Sequence, residues 1–109
     1  MENISFEDWM KLDLRVGKIL EAELHPDADK LYVIKVDIGE ETPRTIVSGL
    51  RDHYELEALI GKKIIVFANL KPAKLRGIES EGMLLAAGKD DKCVLLDLES
   101  DIEVGSKVT

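Results

Sequence analysis

The alternation of apolar and polar residues in LDLRVGKILEAEL, residues 12–24, constrains the fold more than any other feature of this chain. The apolar side chains that share one face of this stretch are Leu14, Val16, Leu20, Ala22 and Leu24. Because successive side chains of a β-strand point to opposite faces, the period of two predicts one long, half-buried strand. Gly17, in the middle of the stretch, predicts a bend or a bulge. A long strand bent in this way suits a small closed barrel.

The order of the remaining elements indicates an all-β fold. Apolar segments predict further strands at residues 31–39, which are rich in β-branched residues, and at residues 45–50, 62–70 and 82–88. Between the third and fourth strands, Leu56, Leu59 and Ile60 recur at helical spacing and predict a short helix. Three strands, a helix and two strands are the order of a five-stranded Greek-key barrel of the OB type, which we predict for this chain. An SH3-like or other small barrel is the alternative.

Shorter elements are expected at both ends of this barrel. Ser5 and Asp8 have the spacing of a capping box, and the following residues predict a short N-terminal helix. We expect the amphipathic face of this helix to bury Trp9, with the helix plugging the open end of its own barrel. The alternative is that Ile4, Phe6, Trp9 and Met10 are exposed and form an apolar patch. Residues 93–98 and 104–108 predict strand additions at the C-terminus. Residues 1–109 are therefore interpreted as a single domain.

Composition excludes several classes of protein. The 109 residues carry a formal net charge of -7, and no apolar run approaches the roughly 20 residues of a membrane span. Cys93 is the only cysteine, so an internal disulfide is excluded and a reducing, cytoplasmic setting is expected. The N-terminal residues lack the pattern of a secretory signal. An acidic protein of this kind does not coat nucleic acid over its whole surface, although one local basic surface is compatible with these numbers.

Such a basic surface is present between residues 61 and 78, which contain five basic residues and no acidic one. In OB folds, ligands meet the face of strands two and three and the loops that join strands one to two and four to five. Here those loops are HPDADK, residues 25–30, and NLKPAKLRGIES, residues 69–80. A basic loop is often only a solvated surface, but its coincidence with the ligand side of the fold favours nucleic-acid binding.

The side chains of the second loop suit phosphate groups. Lys71, Lys74 and Arg76 surround a turn that we expect at Pro72, and the planar fork of Arg76 is able to bind two acceptor atoms at once. Aromatic residues are too few for a surface that stacks successive single-stranded bases, so folded RNA recognised by its shape and backbone is the expected ligand.

Catalytic and metal-binding patterns are missing from the sequence. His25, His53 and Cys93 are far apart and lack metal-ligand spacing, so structural or solvent-facing roles are expected for them. Ser48 is not enclosed in the G-x-S-x-G pattern of a nucleophile elbow, and no glycine-rich phosphate loop is present. We therefore predict no enzymatic activity, no metal and no cofactor.

Three segments resemble a known family: DLRVGKILEAELHPDADKLYVIKVDIGE, IVSGL and GKKIIVFANLKPAKLRGIESEGMLLAA. Together they are similar to the tRNA-binding domain found at the C-terminus of methionyl-tRNA synthetases, in free-standing tRNA-binding proteins and in eukaryotic synthetase cofactors. The resemblance implies an OB barrel that binds tRNA by shape with little sequence preference. It places the tRNA-binding surface on Lys30, Asn69, Lys71, Lys74, Arg76, Ser80 and Met83. The residues alone predict only an ion-pair partner for Lys30, which follows Asp27 and Asp29, and a core position for Met83.

The family also implies a biological role and an assembly. Free-standing members are homodimers built from the N-terminal segment and the C-terminal strands. The resemblance therefore implies a methionyl-tRNA synthetase beta subunit, or a tRNA-binding cofactor that assists a separate catalytic chain in protein biosynthesis. The alternative is a dimeric export chaperone of the same fold, which binds unfolded polypeptides. Because this chain has HPDADKL and KLRGIESEGM, which the synthetase-type members carry, tRNA binding is preferred.

Overall fold

The computed structural model describes residues 1–109, and its regular secondary structure is mainly β-strand. Its two helices are α1 (Phe6–Trp9) and α2 (Leu56–Leu59). The first four strands are β1 (Leu14–Leu24), β2 (Tyr32–Asp37), β3 (Arg44–Ser48) and β4 (Lys63–Phe67). The remaining strands are β5 (Ala73–Leu75), β6 (Ile78–Ser80), β7 (Met83–Leu84), β8 (Ala86–Lys89) and β9 (Lys92–Leu95).

Five antiparallel strands form the main sheet, in the order β3-β2-β1-β4-β7. The sheet curls until its two edges approach each other. Across this seam the Thr45 carbonyl accepts a 2.8 Å hydrogen bond from the Glu81 amide, and the Ser80 hydroxyl accepts a 3.0 Å bond from the Val47 amide. The result is a nearly closed five-stranded barrel with α2 between β3 and β4, which confirms the predicted OB architecture.

The interior of the barrel is filled mainly by β-branched side chains. Fully buried members of this core include Ile19, Ile34, Val36, Ile46, Ile64 and Val66. Burying such side chains is the main driving force for the fold, at about 25 cal/mol per Å² of apolar surface removed from water. A second cluster of Leu14, Val16 and Ile65 packs outside the barrel against residues that include Leu12 and Val108. β1 therefore contributes to two separate apolar layers.

A β-bulge divides the apolar face predicted for β1 between these two layers, with Leu14 and Val16 in the outer one and Ala22 against the barrel core. The register with β2 shifts between Ile19 and Glu21, so the strand changes its inward-facing set at this point. The prediction of one continuous apolar face was consequently wrong, because Leu20 and Leu24 are 40% and 50% exposed. Gly17 is not at the bulge. A Cβ atom there would lie 2.8 Å from Val36 Cγ1, so only glycine fits at this position, where β1 faces the side chains of the barrel interior.

The segments after β4 differ from the prediction in two places. Residues 73–80, expected to be loop, contain the antiparallel hairpin β5–β6. The strand expected at residues 82–88 is divided: β7 pairs with β4, whereas β8 leaves the main sheet and pairs with β9. The C-terminal addition is present, since the Val16 amide bonds the Ser106 carbonyl at 2.9 Å and the Val108 amide bonds the Leu14 carbonyl at 2.8 Å.

The N-terminal helix α1 lies on the outside of the molecule. Ser5 caps it as predicted, with Oγ accepting a 3.1 Å hydrogen bond from the Asp8 amide. No residue of α1 is buried, and Trp9 is 40% exposed, so the expectation of a buried Trp9 was wrong. The helix therefore does not plug its own barrel. None of the helices is both long enough and apolar enough to cross a membrane.

Candidate nucleic-acid interface

The basic segment is a β-hairpin whose turn is formed by Arg76 and Gly77. β5 and β6 pair from Ala73 opposite Ser80 to Leu75 opposite Ile78, which leaves two residues in the turn. The φ angles of Arg76 and Gly77 are 53° and 91°, as a type I′ turn requires. The tight turn is thus at residues 76–77 and not at Pro72, and it carries Arg76 at the tip of the hairpin.

Ser80 and Asn69, two of the predicted site residues, hold the hairpin at its two ends. Ser80 is 3% exposed, and its hydroxyl accepts a bond from the Val47 amide and donates one of 2.8 Å to the Gly82 carbonyl. The Asn69 amide oxygen accepts a 2.8 Å bond from the Asp13 amide, while its Nδ2 donates to the Lys11 carbonyl at 2.7 Å. The buried Ser80 hydroxyl therefore fixes the end of the hairpin, and the exposed Asn69 side chain connects the segment before the hairpin to residues 11 and 13.

Arg44, which the sequence analysis missed, joins these two ends to β3. Its Nη1 donates hydrogen bonds to the carbonyls of Ala68 and Glu81, which flank the hairpin. Its other nitrogens make two bonds of 2.9 and 3.0 Å to the Glu40 carboxylate. This hydrogen-bonded pair lowers the pKa of Glu40 and raises the pKa of Arg44. The only sequence signal was the separation of four residues between an acid and a base at the start of β3.

The three cations of the hairpin segment, Lys71, Lys74 and Arg76, are exposed. None of them belongs to an ion pair. The ion pairs of the structure are Asp8–Lys11, Asp13–Arg15, Lys30–Asp52, Glu40–Arg44 and Lys63–Asp101. Lys74 lies opposite Glu79 in the hairpin register without forming a salt bridge. The three cations are therefore exposed and outside the ion pairs of the structure, with the Glu79 carboxylate on the residue opposite Lys74.

The remaining predicted site residues, Lys30 and Met83, lie on other elements. Lys30 ends the β1–β2 loop with a side chain 82% exposed, and its Nζ is 3.7 Å from Asp52 Oδ2. An ion pair so exposed contributes little to stability, so the ammonium group remains available to a ligand. Met83 is half-buried in β7 and pairs with Phe67 of β4, just beyond the end of the hairpin.

The two loops that the fold predicts as ligand loops meet through hydrogen bonds. The His25 ring nitrogen Nε2 is 3.0 Å from the Leu75 carbonyl, and Arg76 Nη2 donates a 3.3 Å bond to the Asp27 carbonyl. The β1–β2 loop and the tip of the β5–β6 hairpin therefore form one continuous surface. Its exposed cations suit an anionic, extended ligand such as a nucleic-acid backbone.

Comparison with known proteins identifies the family. Residues 14–107 match the family model described as "Putative tRNA binding domain".

The chain belongs to this tRNA-binding domain family.

The curated relatives of the domain are much longer proteins. The chain is 54% identical over 108 residues to the methionine–tRNA ligase of Pyrococcus horikoshii, and this match covers 99% of the chain but 15% of the ligase. The name ligase thus describes a full-length enzyme of which the tRNA-binding domain is a small part.

Two solved structures are similar over nearly all of the tRNA-binding domain. A MetRS related protein from Pyrococcus horikoshii gives a TM-score of 0.92 at 39% identity, with 100% of both chains covered. The chaperone CsaA from Bacillus anthracis gives a TM-score of 0.89 at 28% identity, covering 99% of this chain and 100% of that one. The same barrel therefore occurs in a synthetase-related protein and in a chaperone.

Proposed function

We propose that this domain binds tRNA by its shape and phosphate backbone, largely independently of sequence, and supplies it to a methionyl-tRNA synthetase. The observation that carries the proposal is the group of exposed, unpaired cations Lys71, Lys74 and Arg76 on the hairpin beside the β1–β2 loop. The guanidinium of Arg76 binds phosphate in two places, and the two lysines act as point charges. The RNA minor groove and phosphates offer such groups without regard to sequence.

The other candidate residues have supporting parts in this proposal. Lys30 adds a cation from the β1–β2 loop, and Met83 offers apolar surface at the far end of the hairpin. Asn69 and Ser80 act by holding the hairpin, since their polar atoms are bonded within the protein. The proposed binding surface then consists of four cations and one apolar side chain: Lys30, Lys71, Lys74, Arg76 and Met83. Asn69 and Ser80 hold the hairpin in place.

The proposed role is that of a beta subunit or a tRNA-binding cofactor in the cytoplasm, which helps a separate catalytic chain. Binding tRNA close to that chain raises the effective tRNA concentration at its active site without any chemistry by the barrel. The high identity to methionine–tRNA ligases supports this choice of enzyme. Adding the protein to a catalytic methionyl-tRNA synthetase chain should lower the KM for tRNA, and an unchanged KM would contradict the role.

We propose that the protein forms a homodimer through the N-terminal helix and the C-terminal segment. An open apolar groove there is lined by residues that include Phe6, Met10, Leu14 and Val108. Phe6 and Met10 are 72% and 62% exposed, and such a patch usually marks an interface. Replacing Phe6 with Glu should convert a dimer to a monomer in sedimentation equilibrium. A monomeric unsubstituted protein, or a dimeric Phe6→Glu variant, would exclude this interface.

The function is tested by titrating fluorescently labelled tRNA with the protein and following anisotropy at two salt concentrations. With about three to five phosphate contacts, log affinity should fall with log salt at a slope of roughly -2 to -4. A parallel titration contains an unfolded polypeptide as competitor. Salt-sensitive binding that survives the competitor supports the tRNA proposal, whereas no binding, or binding abolished by the polypeptide, would favour the chaperone alternative suggested by the shared fold.

A further inference from the structure

His25 is a buried side chain that connects the two binding loops. It is 3% exposed, and both of its ring nitrogens are hydrogen bonded. Nδ1 lies 3.0 Å from the Asp27 amide, which is only able to donate, so Nδ1 is the acceptor. The proton is therefore on Nε2, which donates to the Leu75 carbonyl at 3.0 Å. One bond orders the β1–β2 loop internally, and the other crosses to the hairpin.

The position of the second bond matters because of how the hairpin is attached. β5–β6 is a two-stranded sheet outside the main sheet, and an isolated hairpin of this kind is only marginally stable. Ser80 and Arg44 hold its two ends against β3. At the tip, the cross-loop bonds are those of His25 to the Leu75 carbonyl and of Arg76 to the Asp27 carbonyl. Of these, the His25 bond is the shorter and is shielded from water.

We propose that His25 is a positioning residue for tRNA binding, which fixes the cationic hairpin tip against the β1–β2 loop before the ligand arrives. This inference rests on the proposed function. A buried imidazole does not touch a phosphate, so its effect is to reduce the ordering that binding would otherwise require of the hairpin. Leu75 directly precedes Arg76, so the cross-loop bond sets where the guanidinium and the neighbouring Lys74 project.

Two substitutions of His25 separate its two bonds. The amide of His25→Asn reaches the place of Nδ1 and retains the bond within the β1–β2 loop, but is too short to reach the Leu75 carbonyl. The longer amide of His25→Gln reaches the place of Nε2 and retains the cross-loop bond. Both replacements are polar; glutamine is close to histidine in volume and asparagine is smaller, so circular dichroism and urea unfolding check that each variant folds and how far its stability changes.

The affinity for tRNA is then measured by anisotropy with salt series for the unsubstituted protein and both variants. His25→Asn should bind about fivefold more weakly, as expected for one lost hydrogen bond, while His25→Gln should stay within about twofold. The salt slope should be unchanged in both, because no phosphate contact is removed. Equal affinities of the two variants, a weaker His25→Gln, or a reduced slope would overturn the proposal.

Hydrogen exchange at the amides of residues 73–80 provides a readout that needs no RNA. His25→Asn should speed exchange in the hairpin, and His25→Gln should leave it close to that of the unsubstituted protein. If the unsubstituted protein fails to bind tRNA, the proposed function is wrong, while the exchange rates still decide whether His25 orders the hairpin. Identical hairpin exchange in all three proteins would refute the positioning role.

Discussion

Arg44 illustrates how one side chain positions a surface that it does not belong to. Its guanidinium bonds the two carbonyls that flank the hairpin segment and is itself oriented by Glu40. Glu40 has a side chain 37% exposed, so solvent screens the pair and limits its contribution to about 0.5–1 kcal/mol. The geometric effect, which is to fix where the hairpin begins and ends, is the more important one.

The Glu40–Arg44 pair predicts how stability depends on pH. Because the hydrogen bond to Arg44 lowers the pKa of Glu40 below its ordinary value of 4.5, the stabilisation is present above that value. It is lost as the pH falls through the lowered pKa of the folded state. Glu40→Gln should therefore be less stable than the unsubstituted protein at neutral pH by about 0.5–1 kcal/mol. Urea unfolding across the acid range should show this difference shrinking, and a pH-independent difference would contradict the assignment.

At the residue scale, the sequence predicted charges better than contacts. Lys71, Lys74 and Arg76 were recognised because an acid-free basic run is visible without any fold. The hydrogen-bonded roles of His25 and Arg44 were not recognised. The Leu75 carbonyl is 50 positions from His25, and the Ala68 and Glu81 carbonyls are 24 and 37 positions from Arg44. Such contacts exist only after the barrel has brought the loops together.

The β5–β6 hairpin combines an unfavourable turn with a favourable charge. Arg76 has a φ of 53°, a left-handed conformation that costs an L-residue about 1–2 kcal/mol and that asparagine tolerates better. We interpret this strain as the cost of carrying a cation at the tip. Arg76→Asn should raise the free energy of unfolding by about 0.5–1 kcal/mol and weaken tRNA binding about tenfold.

Lys74→Asn is the matched control for this prediction. It removes a neighbouring cation from a strand position, where asparagine is unfavourable, so affinity should fall without any gain in stability. Chemical unfolding and tRNA anisotropy on both variants separate strain from charge. An Arg76→Asn variant that is destabilised, or that binds as tightly as the unsubstituted protein, would show that the turn is not a compromise between stability and binding.

At the element scale, the success of the sequence analysis followed the length of the elements. The long alternation of β1 and the apolar runs of β2, β3 and β4 were predicted, whereas the three-residue strands β5 and β6 were missed. Three residues are too few to show a period of two, and the Arg76–Gly77 turn lacks the Asn-Gly pair that usually marks a type I′ hairpin. The division between β7 and β8 likewise depends on pairing partners and not on local sequence.

Over the whole molecule, charge is separated. Lys71, Lys74 and Arg76 are exposed on and beside one hairpin, although the chain as a whole has a net charge of -7. On the proposed function, the acidic body repels an RNA backbone and the hairpin cations attract it, so that tRNA approaches from one side. The barrel itself was predictable because element order limits the possible topologies. The exposure of α1 could not be predicted from the sequence, because the burial of a helix depends on the elements that it packs against.

The most direct test compares two charge reversals of equal size. Lys74→Glu with Arg76→Glu alters the hairpin. Lys18→Glu with Lys62→Glu changes the net charge by the same amount at exposed lysines near the start of β4, whereas the hairpin follows its end; Lys62 belongs to the same basic run of the sequence but not to the proposed surface. Anisotropy with labelled tRNA at one salt concentration gives both affinities. We predict a loss of at least about 100-fold for the hairpin pair and of less than about threefold for the control pair. Equal losses, or an unaffected hairpin variant, would contradict this prediction.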